Sequence, residues 1–152
     1  KEVTLKQNNG SCGCGAVKYT LDSEIWNVVN CHCNMCKEHN GASFTTYAAL
    51  ALTGLKIKEG NEFITKYREG TGNKHFCKRC GTPLYNTNEK YPGACMIFFG
   101  TLNNSTQYTP KVNVWCESQY PWLNKLSEIN SLQQGLRPGK AHVGIERTVN
   151  SA

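Results

Sequence analysis

Apolar positions in this chain recur mostly at every second residue, the period of a strand rather than a helix. In residues 16–21, Val17, Tyr19 and Leu21 alternate with polar neighbours, as in a strand with one buried face. A second strand is expected over 25–30. A third is expected between 43 and 52, where β-branched and aromatic residues crowd together. After a break at Thr53-Gly54, alternation resumes in Leu55-Lys56-Ile57-Lys58, which reads as the return arm of a hairpin. Further strands are expected over 63–68, 74–76, 83–87, 95–99 and 111–116, punctuated by Gly, Asn and Pro. Helical signal is confined to a turn after Cys33 and a weakly amphipathic stretch over 122–132, stopped by Gly135 and Pro138. Short strands at this spacing predict a mainly all-β fold. No linker, repeat or low-complexity tract interrupts it, so one domain is expected over 1–135, followed by a tail over 136–152.

The 152 residues, 39% of them hydrophobic, suffice for one real core. No run of eighteen apolar residues is present and residues 1–10 do not resemble a signal peptide, so a cytoplasmic protein without a membrane span is expected. Nine cysteines then need a chemistry other than packing. A disulfide framework fits an odd number of thiols in tight clusters poorly, because a bridge needs side chains that meet across the fold. Metal binding is the better reading. It also tempers the formal net charge of +6, since seven thiolates holding two zinc ions would bring it to about +3, which makes nucleic acid an unlikely partner.

The thiols fall into Cys12-Gly13-Cys14, Cys31-His32-Cys33-Asn34-Met35-Cys36, Cys77-Lys78-Arg79-Cys80, and the lone Cys95 and Cys116. A two-residue spacer lets two sulfurs reach one zinc ion at about 2.3 Å, and Gly81 supplies the permissive backbone of such a knuckle. Cys77 and Cys80 provide two ligands; Cys12 and Cys14 are the natural other pair of a closed tetrahedral site. That site would tie the first strand to the middle of the chain, as a structural metal does. Cys31, Cys33 and Cys36 have no close fourth thiol, and three protein ligands with one open position are the mark of catalytic zinc.

Other outcomes stay open at this level. Cys95, Cys116, His32, His39 or His75 could complete the second set and turn it into a scaffold. In that case the chain would be a non-catalytic zinc module contacting protein or nucleic acid, with Arg137, Lys140 and Arg147 of the tail as its support. Cys95 and Cys116 sit in apolar strand sequence and are expected in the core. Phe98, Phe99, Trp115, Tyr120 and Trp122 could line a pocket but are also expected mainly in the core. Lys37, Lys66, Arg68, Lys74, Lys78 and Arg79 could receive the carboxylates of an anionic substrate, though each by itself is expected as a solvated surface charge.

Three ordered motifs carry a resemblance: Gly10-Ser11-Cys12-Gly13-Cys14-Gly15-Ala16-Val17-Lys18-Tyr19; Cys31 to Cys36 with Gly41-Ala42-Ser43-Phe44; and Phe76-Cys77-Lys78-Arg79-Cys80-Gly81-Thr82-Pro83-Leu84. Over roughly residues 9–124 the chain resembles the glutathione-dependent formaldehyde-activating (GFA) family, which includes centromere protein V; Val114 to Leu123 looks like that family's Trp and Pro-Trp segment. The resemblance implies a β-tent of small twisted antiparallel sheets. It also implies a structural zinc on Cys12, Cys14, Cys77 and Cys80, and a catalytic zinc on Cys31, Cys33 and Cys36. The implied activity is a carbon-sulfur lyase or synthase joining glutathione and formaldehyde, or another thiol and small carbonyl compound. One departure stands out: where the family often has Arg after the third cysteine, this chain has Lys37.

Overall fold

The computed structural model describes residues 8–136. It divides into two compact units, Lys1–Gln119 and Tyr120–Ala152. Among the described residues the first unit contains ten strands and one short α-helix: β1 (Asn8–Ser11), β2 (Lys18–Leu21), β3 (Asn27–Cys31), α1 (Asn34–Asn40), β4 (Thr45–Ala51), β5 (Leu55–Glu59), β6 (Ile64–Glu69), β7 (Gly72–Cys77), β8 (Pro83–Asn88), β9 (Ala94–Phe98) and β10 (Val112–Val114). The mainly β architecture agrees with the alternation in the sequence.

The strands form two sheets, a three-stranded one ordered β1-β2-β5 and a seven-stranded one ordered β10-β3-β4-β9-β8-β7-β6. Antiparallel hairpins account for β6-β7-β8-β9, but β10 runs parallel to β3, pairing Val112 with Val29 and Val114 with Cys31. The expected hairpin of β4 with β5 does not form. Both faces of β4 carry buried residues, which draws it into the middle of the large sheet between β3 and β9. A 3₁₀ turn at Leu52–Gly54 then redirects the chain, the N–H of Asp22 bonds to the carbonyl of Gly54, and β5 pairs with β2 instead.

The two faces of the large sheet have different jobs, because side chains alternate along a strand. Ala48 and Leu50 of β4 with Cys95 and Ile97 of β9 point one way, joining Val17, Tyr19 and Leu21 in the main core. Tyr47 of β4 with Met96 and Phe98 of β9 point the other way and pack against Cys31, Cys33, Cys36 and Val114. Tyr47 and Phe98 meet edge to face at 5.0 Å.

In the second unit, the stretch read as an amphipathic helix is a 3₁₀ segment, Pro121–Glu128, broken by non-helical backbone at Lys125. Tyr120 stacks on Trp122, and both remain substantially exposed rather than core. The tail residues Arg137, Lys140 and Arg147 lie outside the described residues. Among the described residues no helix is long and apolar enough to cross a membrane.

Candidate metal centres and cavity

The first cluster is built from two tight turns. Cys12 and Cys14 follow β1; the N–H of Gly15 bonds to the Cys12 carbonyl at 3.1 Å, and Gly15 takes a positive φ of 77°. Cys77 closes β7; the N–H of Gly81 bonds to its carbonyl at 2.7 Å, again with φ 77°, which is the backbone expected of that glycine. The ligand atoms of Cys12, Cys14, Cys77 and Cys80 all lie within 4.8 Å of one another, so the four could hold a metal ion. Cys12 Sγ is 3.6 Å from Cys14 Sγ, and Cys14 Sγ is 4.0 Å from Cys77 Sγ. Thr82 belongs to the same knot: its hydroxyl stands 3.1 Å from Cys80 Sγ and accepts from the N–H of Gly13 at 2.9 Å. Hydrogen bonds from Thr82 hold the Cys80 thiol down to about 5, and the N–H of Val17 donates to Cys12 Sγ at 3.3 Å. Amide and hydroxyl donors aimed at sulfur are what a thiolate metal site requires around its ligands.

The second cluster sits on the opposite face of the large sheet. Cys31 ends β3, Cys33 caps α1 and accepts from the N–H of Cys36 at 3.2 Å, and Cys36 lies in the first turn. Their ligand atoms also lie within 4.8 Å of one another, and among the described residues no other His, Cys, Asp or Glu joins them. Cys36 Sγ donates to Cys31 Sγ at 3.6 Å. That hydrogen bond is the main reason the Cys31 thiol is held down to about 6 while the Cys36 thiol is pushed well up, since adjacent thiolates repel unless a cation compensates them. The donor set is soft, tightly grouped and suited to zinc.

The alternative fourth ligands are engaged elsewhere. His32 is buried, with Nε2 3.3 Å from Asn113 Oδ1 and its ring near Phe44; His39 pairs with Glu69; His75 stacks on Tyr85 at 4.1 Å. Cys95 is core, as expected, and burial pushes its thiol up to about 12. Cys116 is not core: β10 stops at Val114, and Cys116 opens an exposed 3₁₀ turn with its thiol 3.5 Å from the Asn113 carbonyl.

A cavity of about 560 Å³ opens over the second cluster and is lined by all three of its cysteines. Sequence reasoning missed most of its other walls. Trp115, expected in the core, is exposed and faces this cavity instead. The backbone explains it: Trp115 has φ 58°, so strand alternation ends there and its indole is not carried inward. Tyr47 lies at the floor; its hydroxyl is 3.4 Å from Cys36 Sγ and accepts from Asn86 Nδ2 at 3.2 Å. Of the candidate basic residues only Lys74 lines the cavity, with Nζ donating to the His39 carbonyl at 2.6 Å; burial lowers its pKa. Lys37 donates to the Ser118 carbonyl at 2.7 Å, and Arg68 pairs with Glu89.

Comparison with known proteins agrees with this geometry. The chain is similar to a Halomonas elongata protein provisionally named a glutathione-dependent formaldehyde-activating enzyme, at 25% identity over 133 residues covering 82% of each chain. A solved Rhodobacter sphaeroides structure shares the fold, with a TM-score of 0.56 at 24% identity over 69% of this chain and 97% of that one. The family model described as "Glutathione-dependent formaldehyde-activating enzyme" matches residues 7–118, and the chain belongs to that family.

Proposed function

We propose that the chain is a zinc-dependent carbon-sulfur lyase or synthase that makes and breaks the bond between a thiol, such as glutathione, and a small carbonyl compound, such as formaldehyde. The observation that carries this reading is the contrast between the clusters. Four sulfurs gather at one, whereas three gather at the other beneath a cavity, with no fourth protein ligand among the described residues. The first is the composition of a structural zinc site, and the second that of a catalytic one.

Cys31, Cys33 and Cys36 would hold the zinc, which would supply a Lewis acid for the carbonyl oxygen and stabilise a thiolate. The protein contributes the rest. Val29, Met96 and Val114 give the cavity apolar walls, and the α1 cap with the β3–β10 pairing fixes the three sulfurs. Tyr47 is oriented by Asn86, which donates into its oxygen and leaves the phenolic proton for Cys36 Sγ. Lys74 offers the cavity a positive charge for a carboxylate of the thiol substrate. Thiolate-held zinc fits a reducing compartment, and cytoplasmic placement follows from the same reading.

The test is anaerobic reconstitution. The wild type should hold two zinc ions per chain and accelerate exchange between glutathione, formaldehyde and S-hydroxymethylglutathione, followed by NMR. Cys33→Ser should retain one ion and the fold but not the activity. Full activity in that variant would remove the reading.

A further inference from the structure

The cavity wall is poorly matched to a heavily charged ligand. Trp26, Tyr67, Tyr91 and Trp115 are each more than half exposed, and all four line it. Single exposed aromatics need no explanation, but four around one concavity mark a binding surface for apolar matter. Among the described residues Lys74 is the one lysine or arginine in the lining, and the one carboxylate, Glu69, is paired with His39. Glutathione carries two carboxylates and an ammonium group; Lys74 can meet one carboxylate, and the rest of the peptide belongs at the wet mouth. Formaldehyde is close to water in size and would leave the aromatic wall unused.

Trp115 is placed with particular care. Among the described residues it is the one non-glycine with positive φ, a conformation that is unfavourable for a bulky residue and persists only where surrounding structure enforces it. Here the enforcement is visible. Val114 pairs with Cys31, and the N–H of His32 bonds to the Val114 carbonyl at 3.1 Å, so the indole follows directly on the strand that runs beside the first sulfur of the cluster.

From these observations we infer that the carbonyl half of the substrate is an aromatic or similarly bulky apolar aldehyde, whose side group stacks on Trp115 while its carbonyl carbon meets the thiol over Cys31, Cys33 and Cys36. The inference rests on the carbon-sulfur chemistry proposed above and narrows its substrate class. In the forward direction the thiol sulfur bonds to the carbonyl carbon, the C=O π pair moves to oxygen, and the proton lost by the thiol ends on that oxygen as the hydroxyl of a hemithioacetal. The reverse direction restores thiol and aldehyde. No oxidant or reductant takes part. The side group sits on the same carbon as the new bond, and with the peptide of the thiol directed to Lys74 and the mouth, it is the part that enters the aromatic region.

The experiment uses the zinc-loaded full chain and compares acceleration over the uncatalysed exchange, by NMR, for glutathione with phenylacetaldehyde, glutathione with formaldehyde, and benzyl mercaptan with formaldehyde. The expected result is an acceleration at least tenfold greater for phenylacetaldehyde than for either formaldehyde pair. Trp115→Ala, checked for two zinc ions per chain, should raise KM for phenylacetaldehyde about tenfold, equivalent to ~1.4 kcal/mol, and leave formaldehyde within about twofold. Trp115→Phe should recover most of the loss. Preference for formaldehyde with glutathione, preference for benzyl mercaptan, or an indifferent Trp115→Ala each overturns the substrate class and leaves the carbon-sulfur chemistry standing. Absence of acceleration with every pair overturns both.

Discussion

The hydroxyl of Tyr47 stands 3.4 Å from Cys36 Sγ, buried beneath the three-cysteine cluster. With the proposed metal in place, Cys36 would be a thiolate with no proton to give, and Asn86 already donates into the phenolic oxygen, so Tyr47 would donate to the sulfur. Groups that hydrogen-bond to a ligand tune its metal, and their loss typically costs 10–100-fold in affinity or activity. Tyr47→Phe should therefore weaken metal binding at the second cluster by about tenfold or more. The loss of one hydrogen bond should cost only ~1 kcal/mol of folding stability. Chelator competition and thermal melts measure the two, and cobalt substitution adds a shift in the sulfur-to-metal absorption band. Unchanged affinity together with an unchanged band would refute the role.

The two cysteine clusters should fail differently. Cys14 and Cys77 are 63 residues apart in sequence, so an ion held by both restrains a long loop in the unfolded chain. Cys77→Ser should lower stability by more than ~4 kcal/mol, the range in which loss of a metal site falls. Cys33→Ser should leave the unfolding midpoint much closer to that of the wild type. Parallel urea titrations of the two zinc-loaded variants decide it, and equal losses would contradict the division of roles.

Lys74 is the cation at hand for an anionic thiol. Lys74→Met should raise KM for glutathione by about tenfold with a smaller change in kcat, as expected when a charge-assisted contact of ~1.5 kcal/mol or more is lost. Burial lowers its pKa, so the wild type should lose this advantage below the ordinary lysine value of 10.5, with KM rising as Lys74 deprotonates. A KM that is flat with pH up to the ordinary lysine range, in a variant-insensitive assay, would exclude the contact.

Tyr19 offers a stability test away from both clusters. Its hydroxyl bonds to Thr101 Oγ1 at 2.7 Å, and burial pushes the phenol up to about 12 from 10.0. The folded chain thus holds this proton more tightly than the unfolded one, so the contribution is complete below pH ~10 and declines as pH rises toward ~12. Tyr19→Phe should be about 1 kcal/mol less stable than wild type near neutral pH, and the gap should narrow across that alkaline window. Urea unfolding at several alkaline pH values checks this; a constant gap would show that Tyr19 titrates as it does when unfolded.

Much of this molecule could be read before its fold was known, for identifiable reasons. Val17, Tyr19 and Leu21 alternate because one face is core, and the short cysteine spacings set sulfurs side by side through local backbone. The elements that escaped notice depend on distant partners. β1, Asn-Asn-Gly-Ser, has no apolar alternation and exists through pairing with β2 and a bridge from Gly10 to Leu102. The parallel β3–β10 pair joins segments whose side chains say nothing of direction. Trp115 reads as core until its positive φ is known, and no local motif announces that backbone. Tyr47 became visible as a cavity residue, and Lys74 stood out from the other candidate cations, only when β4 and β7 brought them to one concavity.

The two-sided β4 ties reactivity to strand alignment. Tyr47 faces the sulfur cluster while Ala48, its neighbour, is buried in the main core. Sliding β4 by a single residue against β3 and β9 would swap these assignments, putting a phenol into space shaped for a methyl group and a methyl beside the three cysteines. Misaligned chains are thus penalised twice, by crowding inside and by a gap at the cysteine cluster. Correct assembly and the lining of the cysteine cluster cannot be separated in this strand, and selection acting on either one would preserve the other.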